Sequence, residues 1–272
     1  MSATGSALPR LCYNRAMTLM HAVLLGIVEG LTEFLPVSST GHLILTARLF
    51  GLAQTEFMKT FEIAIQLGAI VAVVTLYART LLTDREILKR VFAAFLPTAL
   101  IGFLLYKLIK KFLFAGPSIV LWSLFLGGIV LILFDRWHRE KNEALKKIAD
   151  IPLWKASAIG VIQSLSVVPG LSRAGASIVG ALALGVDRKT AVEFSFLLAV
   201  PTLTAATVYD LLKNAPAFDG GEWKLLCVGG LASFVVAIAS IRLFLRFVQT
   251  RGLTAFGIYR ILAALLFWGF VR

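Results

Sequence analysis

Six runs of apolar residues, at about 61–78, 92–109, 118–135, 193–212, 225–247 and 254–271, most limit what this chain can fold into. Each is close to the ~20 residues with which a helix crosses a hydrocarbon core of ~30 Å. In that solvent every backbone N–H and C=O must be satisfied inside the segment, which for runs of this length means helices. Hydrophobic residues make up 58% of the 272 and charged ones 15%, and the mean hydropathy is +0.86, too apolar for a soluble core and surface to share. The expected fold class is an all-α polytopic membrane protein, a single membrane domain over 1–272 with residues 1–16 as a loose extension.

Within this apolar sequence the stretch Gly26–Leu45, GIVEGLTEFLPVSSTGHLIL, carries two acids, two adjacent serines and a histidine. Ionisable groups at membrane depth cost a few kcal/mol or more and are functional candidates. Glu29 and Glu33 are four apart, so on a helix both carboxylates share one face and can converge on one ligand. Pro36 stops that helix, and Ser38, Ser39 and Thr40 supply hydroxyls that can cap a new one, with Gly41 letting backbone approach a ligand. The blander readings are a pair of interfacial acids, serines that only cap, and a His42 that only satisfies a core. The company of acids, hydroxyls and imidazole across one proline break favours chemistry.

A second interrupted element, about 155–186, reads GVIQSLSVVPGLSRAGASIVG from Gly160 and echoes the first at an offset of 134 or 133: Gly26 with Gly160, Glu29 with Gln163, Pro36 with Pro169, Ser39 with Ser172. The following segments, TFEIAIQLGAIVAVVTLY from Thr60 and EFSFLLAVPTLTAATVY from Glu193, also match. Each unit holds one interrupted element and three spans, an odd number. Two inverted-topology repeats are therefore expected, about 17–150 and 151–272, each a re-entrant helix pair plus three transmembrane helices, with the site where the pairs meet. Arg173, amid small residues, offers its guanidinium to an anion or to a structural salt bridge. Gly170 and Gly175 leave room for amides to approach phosphate. Gln66 and Gln163 suit either a ligand contact or a bond between helices.

The formal net charge is +12, but the basic residues are scattered through short loops and form no stripe, which points to lipid headgroups and topology and away from nucleic acid. Loops at 79–90, 136–155, 187–190 and 248–253 hold 13 of the 27, Arg139 and Lys141 included, against six opposite: Lys59, Lys107, Lys110, Lys111, Lys213 and Lys224. By the positive-inside rule the first set is cytoplasmic and both termini are external. Cys12 and Cys227 lie far apart and suggest neither a disulfide framework nor a metal knuckle. Tyr77, Trp122, Trp137, Trp223 and Trp268 fall near span ends, as interface belts do.

The runs EGLTEFLPVSSTGH (29–42) and PGLSRAGAS (169–177), with FEIAIQLGAI (61–70) and EFSFLLAVP (193–201), closely resemble the signature regions of the bacterial undecaprenyl-diphosphatase, or bacitracin-resistance, family. The resemblance implies inverted repeats and hydrolysis of undecaprenyl diphosphate to the monophosphate and inorganic phosphate at the outer face of the cytoplasmic (inner) membrane, recycling the lipid carrier for peptidoglycan synthesis. It places the acid motif on Glu29 and Glu33, the serine pair on Ser38 and Ser39, the histidine on His42 and the arginine motif on Ser172 and Arg173. Where the family commonly reads Ser-Arg-Ser and then a threonine, this chain has Ala174 and Ser177.

A diphosphate beside two carboxylates calls for a divalent cation, Mg²⁺ or Ca²⁺, on Glu29 and Glu33. Ser39, activated by Glu33 or His42 with Ser38 as alternative, is the expected nucleophile, and Ser172, Arg173, Gly170, Gly175, Ser177 and Gln66 the expected substrate contacts. The expected partners are a polyprenyl diphosphate, membrane lipids and a second copy of the chain. The rival class is a secondary transporter or lipid flippase, which inverted repeats with broken helices also serve.

Overall fold

The structure is a computed structural model and describes residues 15–105, 117–138, 143–214 and 218–271. Cys12, Lys107, Lys110, Lys111, Arg139 and Lys141 lie outside them. The described chain is helical, with two isolated bridges and no strand. In order come α1 (Leu19–Thr32), α2 (Ser39–Leu49), α3 (Glu56–Ala64), α4 (Gln66–Leu76), α5 (Ala78–Thr83), α6 (Arg85–Leu104), α7 (Pro117–Trp137), α8 (Leu153–Gln163), α9 (Arg173–Ala183), α10 (Arg188–Asn214), α11 (Gly220–Arg251) and α12 (Thr254–Val271). Five helical stretches are long and apolar enough to cross a membrane: Glu56–Leu76, Arg85–Leu104, Ser118–Trp137, Arg188–Asn214 and Gly220–Arg251. The protein is an all-α polytopic membrane protein. The sixth apolar run forms a shorter apolar helix, α12.

Several helices begin earlier than hydropathy suggests. Residues 79–90 and 187–190 are mostly helix, because charge interrupts an apolar window without interrupting the backbone ladder. Asp84 caps α6 by accepting from the Glu86 and Ile87 amides at 3.1 and 3.0 Å, and Glu86 pairs with Lys89 and Arg90 in the next turn. At the other margin, Asp219 and Glu222 form a reciprocal capping box that starts α11.

The two ends of the bundle are distinct. At one, Leu145 and Val186 form a short bridge, Arg188 pairs with Asp135 at 3.0 Å, and Lys155 donates to the Leu184 carbonyl at 2.7 Å. This end gathers the starts of α6, α8 and α10 with the ends of α7, α9 and α11. At the other, Arg15 and Leu52 form the matching bridge and Asn214 donates to Thr60 at 3.1 Å, so Arg15 is tied down and not part of a loose extension. The hairpin α1/α2 closes on the second end and α8/α9 on the first, and their tips meet in the interior.

Packing follows the same pairing: α1 lies on α11 as α8 lies on α6, while α7 meets α12 and α4 meets α10. Small residues allow the closest crossings. A Cβ at Gly30 would sit 2.5 Å from the Ser233 carbonyl, and one at Gly128 2.7 Å from that of Gly257. The first spans of both halves are disturbed, α3 giving way to α4 at Ile65 and α10 carrying Pro201.

Candidate active site

Both hairpin tips are built alike. α1 ends at Thr32, the chain turns through Pro36, and Ser38 caps α2 with its Oγ accepting from the Gly41 amide at 3.4 Å. In the second hairpin Ser172 caps α9, accepting from Gly175 at 3.1 Å. Ser38 (φ 71°) and Ser172 (φ 77°) are the two non-glycine residues with positive φ among those described, a conformation that stores roughly 1–3 kcal/mol each and clusters at functional sites. The structural partner of Ser172 is thus Ser38 and not Ser39. Gly170, at φ 93°, is the extra residue after Pro169 that shifts the register by one, and it packs where a Cβ would lie 2.7 Å from the Val120 carbonyl. Its room serves contact with α7.

The tips touch. Ser172 Oγ donates to the Leu35 carbonyl at 3.5 Å, and Arg173 Nη2 donates to Glu33 Oε1 at 2.9 Å and to the Glu33 carbonyl at 3.5 Å. Arg173 Nη1 donates to the Ser195 carbonyl at 2.9 Å, and its guanidinium lies over the ring of buried Phe34, 5.8 Å from the centroid. Ser39 Oγ donates to the other oxygen of Glu33, Oε2. One carboxylate therefore joins a serine of the first segment to the arginine of the second, and all three are largely buried.

His42 stands apart from that trio. Its Nδ1 meets the Ser38 carbonyl at 2.8 Å and its Nε2 the Tyr259 hydroxyl at 2.8 Å. A carbonyl only accepts, so Nδ1 carries the proton, and in the neutral ring Nε2 accepts from the phenol. No hydrogen bond joins His42 to Ser39, although the three-residue spacing suggested a direct proton transfer. The imidazole turns back on the cap, and Glu33 takes the serine instead.

The remaining candidates separate. Glu29 is 0% exposed and neither of its carboxylate oxygens has a partner. Arg173 Nε is likewise buried and unpartnered. Gly175 places its amide on Ser172. Ser177 Oγ is held by the Arg173 and Ala174 carbonyls and shares a bond of 2.7 Å with Ser195. Gln66 starts α4 and is hydrogen-bonded to none of these groups. Gln163, at the position of Glu29, donates to Thr98 and Thr202 at 3.3 and 3.4 Å, so it makes the inter-helix bond.

Among the described residues no three His, Cys, Asp or Glu side chains are grouped to hold a metal. The two orphaned oxygens of Glu29, one helical turn from Glu33, nevertheless suit a hard divalent cation whose other ligands come from substrate and water.

Two residues of α12 escaped the reading of the sequence. Tyr259, 46% exposed, meets His42, and Arg260, 1% exposed, reaches both tips. The signal for Arg260 was an arginine inside the apolar run 254–271, the same signal that singled out Glu29.

The family described as Bacitracin resistance protein BacA matches residues 22–266. Among curated relatives, an undecaprenyl-diphosphatase of Aquifex aeolicus is 53% identical over 93% of this chain and 99% of its own. One of Sulfurihydrogenibium is 51% identical over 93% and 99%, and one of Thermus thermophilus 49% over 93% and 97%. With both signature segments inside the matched region, the chain belongs to the bacitracin resistance protein BacA family.

Proposed function

We propose that this protein is an undecaprenyl-diphosphate phosphatase. It hydrolyses undecaprenyl diphosphate to undecaprenyl phosphate and inorganic phosphate, which recycles the lipid carrier for peptidoglycan synthesis and confers bacitracin resistance. The relatives' activity carries over because both tips and their contacts lie within the aligned length. One observation carries the reading further: beside the serine–carboxylate contact the site holds a buried, unpartnered anion receptor, Arg173 Nε, and, one helical turn from Glu33, a buried, unpartnered cation receptor, Glu29. A diphosphate with its counter-cation would satisfy both at once.

In this reading Ser39 Oγ attacks the terminal phosphorus and passes its proton to Glu33 Oε2. The bond to the bridging oxygen breaks, and undecaprenyl phosphate departs with the proton that Glu33 returns to it; Glu33, a carboxylate again, then takes a proton from the water that attacks phosphorus and hands it to Ser39 Oγ as phosphate leaves. Arg173 neutralises charge that accumulates on the phosphoryl oxygens and holds Glu33 in place. Glu29 and Glu33 would hold Mg²⁺ or Ca²⁺, which when bound neutralises the diphosphate and polarises a phosphoryl oxygen. His42, tied to the cap and to Tyr259, braces the start of α2. The polyprenyl tail stays among the lipids.

The two halves are inverted repeats in this account, with the basic end cytoplasmic and the site open to the outer face of the inner membrane. Basic side chains gathered at one end of a bundle suit anionic headgroups and not a nucleic-acid strand. A cysteine introduced at Glu143 should resist impermeant thiol reagents on intact cells, and ready labelling would reverse the orientation. Transport needs coordination but no nucleophile, so the Ser39–Glu33 contact favours hydrolysis over a flippase. Phosphate release from undecaprenyl diphosphate by the purified protein in detergent tests this, since transport gives no signal without two compartments.

A further inference from the structure

The guanidinium of Arg260 has five N–H donors, and every one is occupied. Nε donates to the Leu124 carbonyl at 3.2 Å. Nη1 donates to Pro36 at 3.2 Å and Leu171 at 3.0 Å, and Nη2 to Ser123 and Gly170 at 2.9 Å each. All the acceptors are backbone carbonyls and none is a carboxylate. Pro36 belongs to the first tip, Gly170 and Leu171 to the second, and the other two to α7. This side chain pins four segments of the chain, its own included, at the level where the hairpins meet.

A cation buried against dipoles alone is costly, and a well-packed apolar residue of similar volume would be as stable or more so. Stability therefore does not account for Arg260. Direct chemistry does not either, because a guanidinium with no free donor has nothing to offer a phosphate. Helix α7 makes room for it: a Cβ at Gly127 would lie 2.7 Å from the Arg260 Cζ, so α7 has no side chain where the guanidinium passes. Its neighbour Tyr259 meets His42 at the base of α2.

We propose that Arg260 is a positioning residue for the phosphatase reaction, which by tying the Pro36, Gly170 and Leu171 carbonyls together fixes the register of the two tips and so sets Arg173 against Glu33 and Ser39. This inference rests on the proposed phosphatase activity, and its consequences are both kinetic and structural. A shift of ~1 Å between the tips is enough to cost about 100-fold in turnover. Lysine keeps the charge of Arg260 but not the planar fork.

The test uses the full-length protein purified in detergent, with kcat counted per folded, monodisperse molecule. Arg260→Lys and Gly127→Val, which displaces the guanidinium from another helix, should each lose about 100-fold in kcat with KM within about threefold. Arg260→Ala should regain at least ~10-fold in kcat from millimolar methylguanidinium that leaves the unsubstituted protein unaffected. Independently of activity, hydrogen exchange at the amides of Gly41 and Gly175, the two capped positions, should accelerate together in Arg260→Lys. The proposal is overturned if Arg260→Lys keeps kcat within about threefold, or raises KM at constant kcat, or if exchange rises in only one segment. An unsubstituted protein that releases no phosphate would strike the functional reading instead, and the exchange measurement would still decide the clamp.

Discussion

The two hairpin tips share a backbone and differ in what they carry. Each has a helix that ends at a break, a serine at positive φ, and a new helix whose third residue is a glycine bonded to that serine. The first tip bears Glu29, Glu33, Ser39 and His42; at the matching positions the second bears Gln163, Val167, Arg173 and Ala176. One local backbone form carries acids, a nucleophile candidate and an imidazole in the first tip, and a cation in the second. The difference teaches that the break itself is structural equipment. It presents the residue after the cap to the Glu33 carboxylate, and chemistry depends on which residue stands there: Ser39 in one case, Arg173 in the other.

Removing the residue after the cap in the first tip should therefore hurt most. Ser39→Ala is expected to lose at least ~10³-fold in kcat with KM little changed. Its neighbour Ser38→Ala, like Ser172→Ala, should instead lower stability by about 1 kcal/mol, the usual worth of a cap. Near-normal turnover by Ser39→Ala would leave the tips equivalent and remove the covalent route.

Next comes the carboxylate that joins them. Glu33→Gln should cut kcat by roughly 10²–10³-fold and weaken the response to Mg²⁺ or Ca²⁺. Glu29→Gln should raise the cation concentration needed for half-maximal rate by about 10–100-fold. Unchanged metal dependence in both variants would remove these carboxylates as ligands.

Smaller effects probe the outer contacts. Tyr259→Phe deletes the hydroxyl on His42 Nε2 and should cost about 10-fold in kcat, measured beside a melting curve that stays within a few degrees. Gln163→Met, which removes the amide that stands where the first tip has Glu29, should leave kcat within about threefold while losing roughly 1 kcal/mol of stability with its bonds to Thr98 and Thr202. Loss of activity there would show that the second tip also carries chemistry on its first helix.

Much of this arrangement was legible in the sequence, and for identifiable reasons. Hydropathy marks spans because the bilayer permits little else, and a proline followed by small hydroxyl residues marks a helix break whatever surrounds it. The Glu33 amide donates to the Glu29 carbonyl, and that these two residues lie one helical turn apart followed from spacing alone. The register between the tips did not: Pro36 to Ser38 is one residue shorter than Pro169 to Ser172, and only the backbone shows that Gly170 absorbs the difference. The partner of His42 was also hidden, since Tyr259 lies 217 residues away on a helix that hydropathy reads as ordinary. Spacing brought Ser39 and His42 near in sequence, but rotamer and cap geometry sent them apart. Helix starts such as Arg85 were misplaced because hydropathy follows side chains, whereas helices follow backbone bonds and caps.

The central claim is that the two tips form one site, joined at the bond of 2.9 Å between Glu33 and Arg173. A double-mutant cycle on turnover with Glu33→Gln and Arg173→Lys measures that joining directly. The account predicts strong coupling, with the double variant losing little more kcat than the worse single variant, because each substitution already dismantles the contact that holds serine and guanidinium on one phosphate. Losses that multiply, leaving the two effects independent, would contradict it.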